Sequence, residues 1–238
     1  MWAKARASGL EMTSVGRCNQ YNRERWLERV LKEVPPGSRI LDAGAGEQQY
    51  KRFCTHLRYV AQDFGQYNGK GDGKGLQTGR WNQEGLDIVA DIASIPEPDG
   101  SFQAVMCVEV FEHIPEPIKA LREFRRLLVT GGYLIITAPF CSLTHFAPYH
   151  FYTGFNRYFY EKHLPELGFE ILELVPNGNY FEQLLCMKRN AIFSLVILTT
   201  IPRLLRDRFF VISALALASY FTRVAQAFVW GARRLVSY

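Results

Sequence analysis

Four acids and two glycines mark the ends of successive apolar runs, and two histidines follow the last of them. In ILDAGAGEQQY, Asp42 stands two residues before Gly44, Gly46 follows, and Gln49 fills the place where a third glycine would complete GxGxxG. That third glycine lets a helix pack closely beneath a pyrophosphate, so its absence argues against a dinucleotide. A carboxylate at Asp42 would repel a pyrophosphate but can accept hydrogen bonds from an ammonium group. Asp63 closes the next apolar run, where an acid can take both hydroxyls of a ribose. Asp91 and Ile92 offer a carboxylate for an adenine amine and an apolar flank for its ring. Glu109 ends VMCVEV, beside the expected reacting centre. A ligand with an amino-acid end, a ribose and an adenine satisfies this set, and S-adenosylmethionine has all three.

A methyl group on a sulfonium is already activated, so a protein that uses it mainly aligns the acceptor and excludes water. A hydroxyl acceptor also needs its proton removed, most simply by His, Asp or Glu. The stretch PFCSLTHFAPYHFYTGFNRYFYEKHLPELGF, about residues 139–168, combines nine aromatic rings between Phe140 and Tyr160 with His145 and His150. Its rings fall on every side of a helical projection, which favours a lid or pocket wall over a simple amphipathic helix. His150 is the first candidate base and His145 the second. Glu112 and His113 in VEVFEHIPEP form a further acid–imidazole pair.

These residues need a scaffold, and the apolar periodicity supplies one. Trp26, Leu27, Val30, Leu31 and Val34 recur at helical spacing within residues 17–34, and Pro35-Pro36-Gly37 ends that helix. SRILDAG reads as a first strand, Glu47 to Leu57 as a helix, and RYVAQDF as a second strand. GQYNGKGDGKGLQTGRWNQEG is too polar for a core and reads as a mobile surface loop; it lacks GxxxxGK[ST], so no phosphate-binding P-loop is expected. LDIVAD and FQAVMCVEV follow as strands, then a helix from Pro115 to Val129 capped by Gly131-Gly132, then YLIITAP as a fifth strand. A short helix from Lys162 to Leu167 precedes FEILELV and FEQLLCMK, two antiparallel strands closing the sheet. The expected fold is α/β: a Rossmann-like, doubly wound, mostly parallel seven-stranded sheet with an antiparallel last strand, plus a C-terminal helical extension. The expected division is a cofactor-binding domain over residues 1–188 and a tail over 189–238.

ILDAGAG, the acid at Asp63, DIVADIASIPEPDGSFQAVMCVEVFEHIPEP and GGYLIITAP together resemble the class I S-adenosylmethionine-dependent methyltransferases, in particular the ubiquinone/menaquinone-type methyltransferase domain group. The resemblance covers roughly residues 17–188. It implies S-adenosylmethionine as cofactor, with Asp42, Gly44 and Gly46 at its methionine end, Asp63 at the ribose, and Asp91 and Ile92 at the adenine. Glu109 stands beside the methyl, and Arg17 and Tyr21 close over the carboxylate. The VEVFEHIPEP segment recurs in the family across unrelated substrates, which implies a structural role for it. The aromatic histidine segment is similar to those of members modifying sugars and glycolipids, implying an oxygen acceptor on a small molecule or lipid-linked sugar. A quinone-like lipid precursor and a non-catalytic cofactor-binding partner subunit are the alternatives.

The five cysteines show no CxxC spacing, and no Cys/His cluster resembles a zinc site, so reduced thiols, a cytoplasmic setting and no metal are expected. The N-terminus has basic residues without an apolar run behind them, unlike a signal peptide. Residues 188–238 carry eight Lys/Arg against one acid, whereas residues 1–187 carry twenty against twenty-two. The longest uncharged runs of the tail are 190–202 and 209–222, thirteen and fourteen residues. A bilayer span takes about eighteen or more apolar residues. The tail is therefore expected as two arginine-flanked helices that lie on the inner membrane surface or form a cover or homodimer interface. A basic groove for nucleic acid is not expected.

Overall fold

The structure, a computed structural model, describes residues 18–177. The tail and the second of the two closing strands lie outside the described residues.

Helix α1 (Cys18–Glu33) leads into strand β1 (Arg39–Ala43), and β2 (Arg58–Asp63), β3 (Ile88–Val89), β4 (Phe102–Val108), α2 (Pro117–Leu127), β5 (Leu128–Thr137) and α3 (Arg157–Glu166) follow. The described strands form a parallel sheet in the order β3-β2-β1-β4-β5. The chain therefore starts near the middle of the sheet and winds outward in both directions, which puts the switch point at the C-terminal ends of β1 and β4.

Strand alternation sorts the core into two layers. Leu41, Ala43, Val105 and Cys107 face α2, where Ala120, Leu121, Phe124 and Leu127 are fully buried. Ile40, Ala104, Met106 and Val108 face the other way, against Leu27, Leu31 and Val34 of α1 and its C-terminal end. Each large side chain so buried contributes about 1.5–3 kcal/mol. The periodicity seen in the sequence is thus the periodicity of the packing.

Several elements differ from expectation. The stretch after the glycine turn is a series of turns with one 3-10 turn at Lys51–Phe53, not a helix over 47–57. Gln48 has a φ of +56°, which interrupts helical continuation. Helix α2 stops at Leu127, where Leu128 turns extended and opens β5 directly. Gly131-Gly132 is therefore no helix cap. It belongs to an irregularity inside β5, where the register jumps from Phe102–Leu128 to Ala104–Tyr133. Helix α3 starts five residues earlier than expected, because the Asn156 side chain caps it by accepting from the Phe159 N–H. Residues 169–175 form no strand among the described residues. Instead Glu173 pairs with Arg29 of α1 at 2.6 Å, and Asn177 donates to the Asn19 carbonyl.

The largest difference concerns the glycine-rich loop, which is anchored. Tyr67 is buried, stacks on Phe146 with ring centroids 4.6 Å apart, and meets Trp81 edge-on. The Asp72 N–H donates to the Ala147 carbonyl, the Leu76 N–H to Thr144, and the Phe146 N–H returns to Leu76. The glycines permit this contact: a Cβ on Gly71 would stand 1.9 Å from the Ala147 carbonyl oxygen, and one on Gly75 2.4 Å from that of Thr144. No helix among the described residues is long and apolar enough to cross a membrane.

Gly71→Ala should undock this loop without unfolding the sheet. Limited trypsin digestion should then cut faster at Lys70 and Lys74 than in the wild type, with the thermal midpoint of the core nearly unchanged.

Candidate active site

The switch point carries the first cluster. Asp42 is buried near the end of β1, and the Tyr59 hydroxyl donates to its Oδ2 at 2.5 Å. Burial pushes the Asp42 carboxyl up to about 7, opposed by the Tyr59 bond and reinforced by the charge of Asp63. Such a group favours any ligand that brings a positive charge to it.

The glycine turn uses its own donors inwardly. The N–H groups of Gly44 and Ala45 both donate to the Gln62 carbonyl, and that of Gly46 donates to Asp63 Oδ2 at 2.9 Å. A pyrophosphate site needs those donors, and a helix N-terminus behind them, aimed at the ligand. This turn has neither feature. Both glycines have positive φ and are closely covered: a Cβ on Gly44 would stand 2.6 Å from Val110, and one on Gly46 2.6 Å from Trp81. Asp63, at the end of β2, also accepts from the Gly65 N–H and from Gln83 Nε2 through Oδ1. It therefore joins the glycine turn to both ends of the anchored loop.

Asp91 lies two residues beyond the short β3, exposed, and its Oδ1 accepts from the Ala93 N–H. Ile92 is half-buried against the α2 layer. Glu109 follows β4 with a φ of +56°. Its Oε1 accepts from the Thr137 hydroxyl, and its Oε2 lies 3.2 Å from Arg23 of α1. Arg23 also donates to the Tyr50 hydroxyl. The helix residue that reaches this edge is thus Arg23. Tyr21 is exposed, with the Arg25 guanidinium over its ring, and Arg17 lies outside the described residues. Spacing could have found Arg23, since it precedes Leu27, Val30 and Leu31 by four, seven and eight residues and shares their face.

The second cluster gathers His145 and His150 with two residues 32 and more positions earlier. The His145 ring centroid lies 4.6 Å from that of His113 and 5.0 Å from that of His150. Glu112, buried, places Oε1 3.7 Å from Nε2 of both His113 and His145. Burial pushes the Glu112 carboxyl up to about 8 and holds the His113 imidazole down to about 4. Burial also lowers His150, whose Nε2 meets the Ser142 hydroxyl at 3.1 Å. The cluster is fixed from behind, because the Glu112 carbonyl accepts from the N–H groups of Phe151 and Tyr152. Glu112, His113 and His145 together offer ligand atoms within 4.8 Å of one another. Linear spacing does not show this group, because it is assembled from a turn after β4 and a segment after β5.

The aromatic segment divides into parts. Phe155 and Phe159 pack on Phe111 in the α2 layer, Phe146 stacks on His113, and Phe140 and Tyr158 are exposed. Tyr152, Phe155 and Phe159 also line a cleft of about 610 Å³ against Pro115 and Lys119, which contains none of the expected site residues.

Residues 41–136 match the family model described as a methyltransferase domain. That span runs from β1 to β5 and includes both clusters' anchors. Residues 41–136 are a methyltransferase domain of the class I S-adenosylmethionine-dependent type. The domain is 33% identical over 117 residues to a demethylmenaquinone methyltransferase of Renibacterium salmoninarum, covering 47% of this chain and 46% of that protein. It is 32% identical over 115 residues to a ubiquinone biosynthesis O-methyltransferase of Xanthomonas axonopodis, covering 47% of each. To a sarcosine/dimethylglycine N-methyltransferase of Halorhodospira halochloris it is 27% identical over 160 residues, covering 60% of this chain and 56% of that one. The chain spans about half the length of the curated relatives it matches. The methyltransferase domain implies S-adenosylmethionine as methyl donor, and the donor set fits it: carboxylates and inward-turned amides suit a cationic amino acid and a ribose.

The raised Asp42 carboxyl sets a pH dependence. Its folded state holds a proton that the unfolded chain releases near 3.8. Its contribution to stability is thus complete below about pH 4 and declines as pH rises toward 7. Asp42→Asn, which keeps an acceptor for Tyr59, should remove that decline. Denaturation midpoints at pH 5 and pH 8 should show the variant gaining on the wild type by on the order of 2–4 kcal/mol at the higher pH.

Proposed function

We propose that this domain transfers a methyl group from S-adenosylmethionine to an oxygen of a small molecule or lipid-linked sugar. The observation that carries the oxygen acceptor is the imidazole cluster on the segment after β5, beyond the strand ends where the family binds its cofactor.

In this reading Asp42 and the turn at Gly44 and Gly46 receive the methionine end, and Asp63 exchanges its Gln83 contact for the ribose hydroxyls. Asp91 and Ile92 take the adenine amine and ring. Glu109, held by Arg23 and Thr137, borders the methyl-transfer centre. S-adenosylmethionine supplies a methyl activated on a sulfonium sulfur. His150 takes the acceptor's proton as the oxygen attacks, and His145 packs beside it. The bland rival, histidines that only satisfy backbone groups, accounts for Nδ1 of His113 and His145 but leaves the Glu112 carboxylate without a purpose.

The names of two relatives favour a second reading, in which the acceptor is a quinone-like lipid precursor methylated on carbon or oxygen. Both readings suit a basic, apolar tail that meets a membrane surface or a second copy of the chain.

Asp63→Ala should weaken S-adenosylmethionine binding by about 1.5–3 kcal/mol in calorimetry through loss of charge-assisted hydrogen bonds. Unchanged affinity in a folded variant would remove Asp63 from the site. His150→Ala should leave that affinity unaltered and lower turnover about 10²–10⁴-fold in a labelled-methyl assay over sugar and quinol acceptors. Equal turnover would exclude His150 as the base.

A further inference from the structure

We infer that Glu112, His113 and His145 form a divalent-cation site. The decisive feature is where the ring protons lie. His113 Nδ1 is 2.5 Å from the Tyr149 carbonyl oxygen, and His145 Nδ1 is 2.8 Å from that of Leu143. A carbonyl only accepts, so in both rings Nδ1 carries the proton and donates it. In the neutral rings Nε2 then presents a lone pair. Both lone pairs face Glu112 Oε1 across 3.7 Å, too far for a hydrogen bond. Glu112 Oε2 and His113 Nε2 are buried without a hydrogen-bond partner. Two imidazole lone pairs and a buried acid that converge with no hydrogen bond between them are an unsatisfied arrangement that a bound cation would complete.

A backbone carbonyl behind each Nδ1–H is the support that metal-ligating histidines use to fix ring orientation and tautomer. Two imidazoles and one carboxylate suit zinc, manganese, cobalt or iron(II). Metal–nitrogen and metal–oxygen bonds near about 2.0–2.2 Å would draw the three ligand atoms slightly together. The site is built from two segments, the 3-10 turn Phe111–His113 and the loop before α3, so a cation would also fasten the loop to the sheet.

Its role in the reaction, though not its existence, rests on the methyl-transfer reading. With three protein ligands the cation keeps positions open for an acceptor oxygen. Coordination there would polarise the acceptor O–H, whose proton passes to His150. The oxygen then forms its bond to the methyl carbon while the carbon–sulfur bond breaks with its electron pair remaining on sulfur.

The test uses the purified full chain, stripped with a chelator and titrated with Co²⁺ and Mn²⁺ alone, followed by calorimetry and by the visible Co²⁺ spectrum. One equivalent should bind, with a spectrum typical of nitrogen and oxygen ligands. Glu112→Gln and His145→Ala should each weaken binding at least tenfold, while His163→Ala should not. The same samples are titrated with S-adenosylmethionine. Retained cofactor binding by Glu112→Gln and His145→Ala shows that they are folded, and failure of the wild type to bind it would count against the methyltransferase reading without touching the cation site. Absence of stoichiometric metal binding by the wild type, or equal affinity in wild type and both variants, would overturn the inference.

Discussion

The Asp63 carboxylate is the contact on which the C-terminal edge of the sheet depends. One oxygen holds the Gly46 N–H of the first turn, and the other holds Gly65 and Gln83 at the two ends of the glycine-rich loop. That loop carries Tyr67, which stacks on Phe146, and the backbone that pairs with Thr144 and Ala147. Phe146 in turn lies against His113. A single buried acid thus connects the glycine turn to the histidines through one continuous series of packed groups. Hydrogen bonds to a charged group contribute about 1.5–3 kcal/mol each, enough to keep a polar loop in one place.

The two clusters divide the chemistry. The turn after β1 has drawn its amides inward onto Gln62 and Asp63, which argues against phosphate recognition there. The segment after β5 supplies His145 and His150, and the turn after β4 supplies His113 and the buried Glu112, groups that suit proton transfer. The fold brings them together because a doubly wound parallel sheet places the ends of β1, β2, β4 and β5 on one edge. The family match extends over this scaffold, whereas the segment with His145 and His150 follows it, beyond residue 136.

Much of this was legible in the residues. Period-two and period-3.6 patterns located α1, the strands and α2, and Gln49 in place of a third glycine argued against a dinucleotide. What failed to show depended on contacts between distant segments. The polarity of residues 65–85 reads as mobility until the Ala147 and Thr144 carbonyls are seen to need glycine's missing side chain. The turn after Gly46 follows no helical pattern because Gln48 sits at positive φ. His145 and His150 were legible as chemistry, but their partners Glu112 and His113 read as structural, since nothing in the spacing joins a turn after β4 to a segment some thirty residues later.

The most direct test of the central claim, that the glycine turn and the histidine cluster serve one reaction centre, is a crystal structure with S-adenosylhomocysteine bound. The account predicts the ribose on Asp63 in place of Gln83, the amino end toward Asp42, and the sulfur directed toward the space beside Glu109 and His150. A ligand bound at the cleft between Pro115 and Phe159, or a sulfur facing away from the histidines, would contradict it.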